Sequence, residues 1–339
     1  MWHLSRLLGK NAPIAVYCAE PMDYIVMKSV LRHLSGVKYI AKNSRTIKYL
    51  KSLGIEAQRP PAFPEAVLMC RHAAHKFPAK RIIRIGFRHG AYHFKTFAGA
   101  KYYNLFDIFF FTSEREVELA KQLGVTCGSA IGFPKLDPAF DGSIDSIKLK
   151  QIREQVKIDT GKKTILFTST WEKSGMSAIE QWVRSVGELS EQYNVLVTVH
   201  PWMSKKYIQL LQDSEKIFFI DDPDILPYLM ISDVCIGDYS SILAEACALD
   251  KPLITFRTKK TDRTPDEITE MLEKISIRID EFSQLPQALR ESLQEDANRR
   301  KARQDAVRSM FSELDGHAGE RAAAIIRARL DSALQTQNK

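Results

Sequence analysis

"DVCIGDYSSILAEACALDKPLITF", residues 233–256, places two adjacent serines between an apolar run and a helical pattern, then returns through Lys-Pro to a second apolar run. "VCIG" and "LITF" read as buried strands, and "SILAEACAL" as the helix between them. Near-continuous apolar strands alternating with helices imply a parallel sheet covered on both faces. In such sheets ligands bind beyond the carboxyl ends of the strands. The opening amides of a helix lack intrahelical partners, and the macrodipole adds positive charge there. Ser240 and Ser241 are therefore candidates to hold phosphate oxygens. Gly237 permits close backbone approach and Asp238 can order the turn by accepting amide hydrogens. Glu245, one helical turn past Ser241, can accept hydrogen bonds from sugar hydroxyls. The same spacing also fits a plain serine-capped helix with Glu245 in solvent.

The rhythm extends in both directions. Strands are expected at 13–18, 37–41, 81–87 and 107–113, with helices at 23–34 and 113–124. The second of these helices has Ser113 as N-cap, Glu116 as its capping-box partner and Gly124 as its stop. Strands at 163–170, 194–200 and 216–220 restart the pattern, with a helix expected at 177–193, the stretch "SKKYIQLLQDS" (204–214) before the last strand, and 224–232 helical after it. The Pro, Asp and Gly of "PKLDPAFDGSID" (134–145) mark the join. The fold class is α/β, with two Rossmann-like doubly wound domains facing a cleft. The first is expected over 1–140, the second over 141–315, and a C-terminal helix over 316–339.

Composition narrows the function classes. An apolar content of 45% against 27% charged residues suits a folded domain, and no window holds the ~20 apolar residues of a membrane span. Residues 1–10 are expected to be either a frayed terminus or a short amphipathic surface piece, and not a signal peptide. Five scattered cysteines in no metal-ligand spacing point to buried thiols in a reducing cytoplasm, and no metal site is expected. Residues 1–150 carry 23 Lys+Arg against 11 Asp+Glu, whereas the remainder is slightly acidic. The basic half is expected either to attract an anionic partner (a phosphorylated acceptor, an acidic membrane surface or nucleic acid) or to be a plain solvated lysine-rich surface. Aromatic interleaving of the kind that binds single strands is not evident, so no nucleic-acid partner is expected.

Two histidines complete the set. "GFRHGAYHFKTF" (86–97) follows a strand and carries Arg88, His89, Gly90 and Lys95 in a glycine-flanked loop. A histidine there is a natural general base near neutral pH. His200 ends the strand "VTVH", and Pro201 keeps it out of helical geometry.

With these residues assembled, the chain resembles the CDP-glycerol glycerophosphotransferases, the teichoic-acid and capsule polyol-phosphate transferases of GT-B fold. His89-Gly90 matches their His-Gly motif, and "GFPKLD" (132–137) their Gly-x-Pro-(Arg/Lys)-x-Asp motif. "FTSTW" (167–171) matches a further segment, and His200 the strand-end histidine. Asp233, Asp238 to Ser241 and Asp250 to Pro252 match the final block. The resemblance implies His89 as base, His200 as a contact to the donor phosphates, and Ser240 and Ser241 on the pyrophosphate. It places Glu245 toward the ribose, and it makes Gly90, Thr168, Ser169, Thr170 and Asp238 donor-binding positions. Arg88, Lys95, Lys135 and Arg257 are expected as phosphate or acceptor contacts. No cofactor is implied beyond a nucleotide-activated donor substrate, CDP-glycerol or CDP-ribitol. The implied acceptor is an anionic or lipid-linked glycan. The expected location is cytoplasmic, with peripheral contact at the inner face of the plasma membrane through the basic half. The competing expectations are a nucleotide-sugar glycosyltransferase and a non-catalytic glycan-binding module. Beyond Phe256 the sequence departs from the family pattern, with Arg257, Lys259, Lys260 and Arg263 standing where an Arg-Gly-Phe-Tyr stretch is usual.

Overall fold

The computed structural model describes residues 14–94, 96–294 and 296–337. They form two compact units, each built on its own parallel sheet. The first unit comprises the described residues up to Tyr92, then Phe97–Asp141, and those from Phe311 onward; the second holds the described residues of 93–96 and 142–310.

The first sheet has the order β3-β2-β1-β4-β5-β6-β7. Its strands are β1 Ile14–Cys18, β2 Val37–Ala41, β3 Ala57–Gln58, β4 Ala66–Met69, β5 Ile83–Phe87, β6 Ile108–Phe111 and β7 Gly128–Ala130. The second has the order β10-β9-β8-β11-β12-β13. It consists of β8 Lys163–Ser169, β9 Tyr193–Val199, β10 Phe218–Phe219, β11 Val234–Gly237, β12 Leu253–Phe256 and β13 Ile277–Ile279. All recorded pairings are parallel. Strands β4, β11 and β12 are buried along their whole length, as a sheet covered on both faces requires. The two-unit α/β architecture thus follows the expected class.

Local differences have local causes. The stretch 177–193 is not one helix: it forms a short turn of helix at Ile179–Trp182 and a 3-10 segment at Val186–Glu191. Val183, Ser185, Val186 and Gly187 are weak helix formers close together, and the burial of Trp182, Val183 and Val186 in the second core fixes the path. In the helix Glu114–Gln122, Ser113 Oγ does accept the Glu116 amide at 3.2 Å. The Glu116 carboxylate, however, turns to the amide and hydroxyl of Thr112 (3.0 and 3.1 Å), one residue upstream of the expected capping-box bond.

The helix expected at the C-terminus runs Ala318–Gln337 and returns to the first unit, lying against the helix Pro21–Leu31. At Gly319 the two backbones nearly touch: an added Cβ would fall 2.6 Å from the carbonyl carbon of Ser29. Asp137, the last letter of "GFPKLD", accepts the amides of Ala318 (3.1 Å) and Gly319 (2.7 Å) and so caps this helix from a distant loop. Gly132 of the same motif has φ +84°, with the Glu313 carbonyl 3.0 Å from where a Cβ would sit. Burial pushes the Asp137 carboxyl up to about 6, against the partial counter-effect of those amides.

A folded carboxyl raised above its ordinary 3.8 contributes stability that is complete below that value and is lost as pH rises through about 6. Asp137→Ala is expected to cost about 1–2 kcal/mol through loss of the cap. The gap between wild type and variant, measured by urea unfolding, should be larger at pH 4 than at pH 7.

Candidate active site

The strand order of the second sheet reverses at β8: β9 and β10 lie to one side and β11 to the other. The crevice between the ends of β8 and β11 is the switch point at which open α/β sheets bind ligands. Thr168, Ser169 and Thr170 leave β8 there, and Asp238 to Ser241 leave β11.

One carboxylate joins the two strand ends. Asp238 is fully buried, and it accepts hydrogen bonds from Ser169 Oγ (2.6 Å), the Thr170 amide (2.9 Å) and the Ala178 amide (3.0 Å). It therefore orders the neighbouring loop as well as its own turn. Ser169 Oγ also lies 2.8 Å from Ser177 Oγ. Thr168 is fully buried, and its hydroxyl has no hydrogen-bond partner among the described residues. Gly237 makes room for it: an added Cβ would meet Thr168 Cγ2 at 2.9 Å.

The two serines divide the turn. Ser240 Oγ accepts the Ile242 amide (3.3 Å) and its carbonyl accepts the Leu243 amide (3.0 Å). A hydroxyl that accepts an amide still has its own proton to donate. Ser241 is the N-cap of the helix Ile242–Ala248, and its side chain makes no capping bond. Both serines are partly exposed. Glu245, by contrast, is only 2% exposed, which excludes a solvated surface acid and places a carboxylate in the interior behind the serine turn. Tyr239 is buried, with its hydroxyl 3.0 Å from Thr269 Oγ1 and its ring beneath the Arg278 guanidinium (5.9 Å). Arg278 gives no signal in the sequence, because an arginine inside "SIRID" belongs to no motif. Its partners, Thr255 Oγ1 at 3.0 Å and Glu273 at 3.3 Å, appear only when β12 and β13 pair.

His200 follows β9, and its amide donates to the Ser169 carbonyl (3.0 Å), tying it to the same crevice. Its Nδ1 accepts the Trp202 amide at 3.1 Å. The neutral ring must then carry its proton on Nε2, which makes that nitrogen a hydrogen-bond donor.

The remaining expected residues lie elsewhere. His89 is exposed on the loop after β5 of the first unit, beside partly exposed Gly90. Arg88 is turned inward: it pairs with fully buried Glu116 (3.0 Å), donates to the Tyr92 carbonyl (2.7 Å) and stacks on Phe97. Tyr92 has φ +55°, a strained conformation for an aromatic residue, and the bond from Arg88 to its carbonyl helps to hold it. The expected phosphate contact is therefore a brace for the His89 loop. Lys135 is 2% exposed within the first unit, away from solvent. Arg257 is held by Glu273 (2.9 Å) and Asp280 (3.3 Å), and Lys260 is paired with Asp266. Lys95 lies outside the described residues. Among the described residues, no three His, Cys, Asp or Glu side chains gather as metal ligands, and no helix is long and apolar enough to cross a membrane.

The sequence profile of the CDP-glycerol:poly(glycerophosphate) glycerophosphotransferases matches residues 127–327, more than half of the chain. The chain belongs to this family. It is similar to a teichoic acid poly(ribitol-phosphate) polymerase of Bacillus spizizenii, with 25% identity over 206 residues covering 57% of this chain and 32% of that protein. It is also similar to a teichoic acid glycerol-phosphate primase of the same species, with 28% identity over 164 residues covering 46% and 41%. The chain thus spans well under half the length of these curated relatives. Among solved structures, the wall teichoic acid polymerase TagF superposes with a TM-score of 0.72 at 15% identity, over 95% of this chain and 90% of that one. At that identity the likeness shows the shared fold.

Family membership gives the Asp-Lys-Pro letters a physical reading too. Asp250 sits at φ +52° and pairs with Arg300 (2.7 Å) and buried Arg303 (3.3 Å) of the helix Ala297–Met310. Lys251 donates to the carbonyls of Met230 and Ser232 (2.9 and 2.7 Å), and burial lowers its pKa. These residues clamp the returning helices around β11 and β12.

Asp238→Asn would place an amide NH₂ among three donors. The expected loss is about 2 kcal/mol. Native-state hydrogen exchange should show faster exchange at the Thr170 and Ala178 amides, with the β12 amides unchanged.

Proposed function

We propose that the chain transfers a polyol phosphate from a CDP-activated donor, CDP-glycerol or CDP-ribitol, to a hydroxyl of an anionic or lipid-linked glycan, as part of teichoic-acid or capsule synthesis. The observation that carries this reading is the family match across 127–327, which includes the serine turn, His200 and the Asp238 clamp. The poly(ribitol-phosphate) polymerase and glycerol-phosphate primase among its relatives favour the same donors.

The acceptor oxygen attacks the β-phosphorus of the donor and its proton passes to His89. The bond from that phosphorus to the bridging oxygen breaks, and CMP departs. Ser240 donates its hydroxyl proton to a phosphate oxygen, and Ser241 offers a hydroxyl not used in capping. His200 supplies its Nε2 proton, a preorganised donor that strengthens as charge develops on the leaving phosphate. Thr168 lies beneath this crevice with its unused hydroxyl, and Glu245, at 2% exposure, lies too deep to meet the ribose directly. Phosphate charge is met by these donors without a divalent ion. The site works at the inner face of the plasma membrane, reached through the basic first half.

Thermal shift separates this from the nucleotide-sugar reading: CDP-glycerol or CDP-ribitol should raise the melting temperature and UDP-sugars should not. With a glycan acceptor present, released CMP should be detectable, and chelator should leave the rate unchanged. His89→Ala is expected to lower kcat by about 10²–10⁴-fold with the melting shift retained. The double change Ser240→Ala and Ser241→Ala should abolish most of the shift. Turnover of UDP-sugars alone, or undiminished transfer by His89→Ala, contradicts the assignment.

A further inference from the structure

Beside His200 stand two tryptophans that the proposed transfer does not use. Trp171 follows the end of β8, and Trp202 lies two residues after His200 at the end of β9. Their rings meet edge to face, with centroids 5.6 Å apart and planes at 87°. His200 lies 5.4 Å from Trp202 and 6.4 Å from Trp171. Three rings this close fill the space between them, so no slot remains in which a flat base could be sandwiched. What faces outward is Trp202, 54% exposed.

The loop that carries this exposed indole is tied down through its backbone and its neighbours. The Trp202 amide is tied to His200 Nδ1 (3.1 Å), and the Met203 amide to the His200 carbonyl (2.8 Å). Glu172, next to Trp171, accepts the Ser204 amide (3.1 Å) and bonds the Ser204 hydroxyl, which locks the two loops together. A preorganised aromatic face binds with little ordering cost. Exposed lysines Lys173, Lys205 and Lys206 flank the pair along the same segments.

We infer that the exposed Trp202 indole, braced edge to face by Trp171, forms a one-sided platform for a pyranose ring that carries or adjoins a phosphate. The axial C–H face of a sugar is weakly positive and suits the negative face of an indole. The lysines supply charge for the phosphate, and an open single face suits a puckered ring. A glycerol phosphate chain has no ring to stack. The platform therefore assigns a glycosyl segment to the acceptor, a deepening of the proposed function that depends on it for the identity of the neighbouring phosphate site.

The probes are glucose 1-phosphate (ring and phosphate), glycerol 3-phosphate (phosphate alone) and CMP (base and phosphate), followed by tryptophan fluorescence and saturation-transfer NMR on the whole chain. Glucose 1-phosphate should quench the fluorescence and receive saturation on its ring protons. Trp202→Ala should weaken it about tenfold, whereas Trp202→Phe retains most of the binding. Glycerol 3-phosphate and CMP should bind both variants as they bind wild type. Failure of glucose 1-phosphate to bind wild type, equal binding by Trp202→Ala, or selective loss of CMP would each overturn the platform. The CDP-glycerol melting shift of the wild type tests the donor reading separately, so the two can fail independently.

Discussion

The site in the second unit depends on one buried carboxylate. A parallel sheet brings β8 and β11 side by side, but their loops leave the sheet independently and nothing in the ladder fixes one against the other. Asp238 supplies that constraint by accepting three donors from the 169–178 loop while its own backbone begins the serine turn. Removed from water, a carboxylate is tolerable only when such donors replace its hydration. The cost of burial thus becomes geometric order: Ser240 and Ser241 are held opposite Thr168 and Ser169.

Much of this was legible in the sequence because the signals were local. Apolar runs at 14–18, 37–41 and 234–237 announced their strands, and the turn residues between "VCIG" and "SILAEACAL" announced a helix opening. Strand β4 was not legible: "AVLM" mixes good helix formers over four residues, and only pairing with β1 and β5 decides its state. Strand β7, "GSA", has no apolar signal at all and exists because β6 offers an edge. The break inside 177–193 was missed because periodicity records which face is buried and not whether the backbone continues.

The site residues divide along the same line. Serines at a strand-to-helix turn and a histidine before proline declare themselves by their neighbours in sequence. The roles of charged residues do not, because each is settled by a partner far along the chain. Arg88 meets Glu116, Arg257 meets Glu273 and Asp280, Asp137 meets the amides of residues 318 and 319, and Asp250 meets Arg300 and Arg303. Arginine's planar fork makes it the usual choice for such internal pairing.

This division bears on how the family's motifs should be understood. A motif letter is commonly taken as a contact with substrate, yet four here act on the protein itself: Gly132, Asp137, Asp238 and Asp250. Each sits where the chain must turn sharply or where a helix must be anchored. In the proposed function the groups assigned to the donor phosphates are small hydroxyls and an imidazole, whose hydrogen bonds are short and directional. Arg88, Arg257 and Asp250 are drawn into pairs that hold the scaffold, while Ser240, Ser241 and His200 stand near the strand ends. A site of that kind discriminates by the placement of donors more than by net attraction, which suits recognition of one phosphate of a diphosphate over its neighbour.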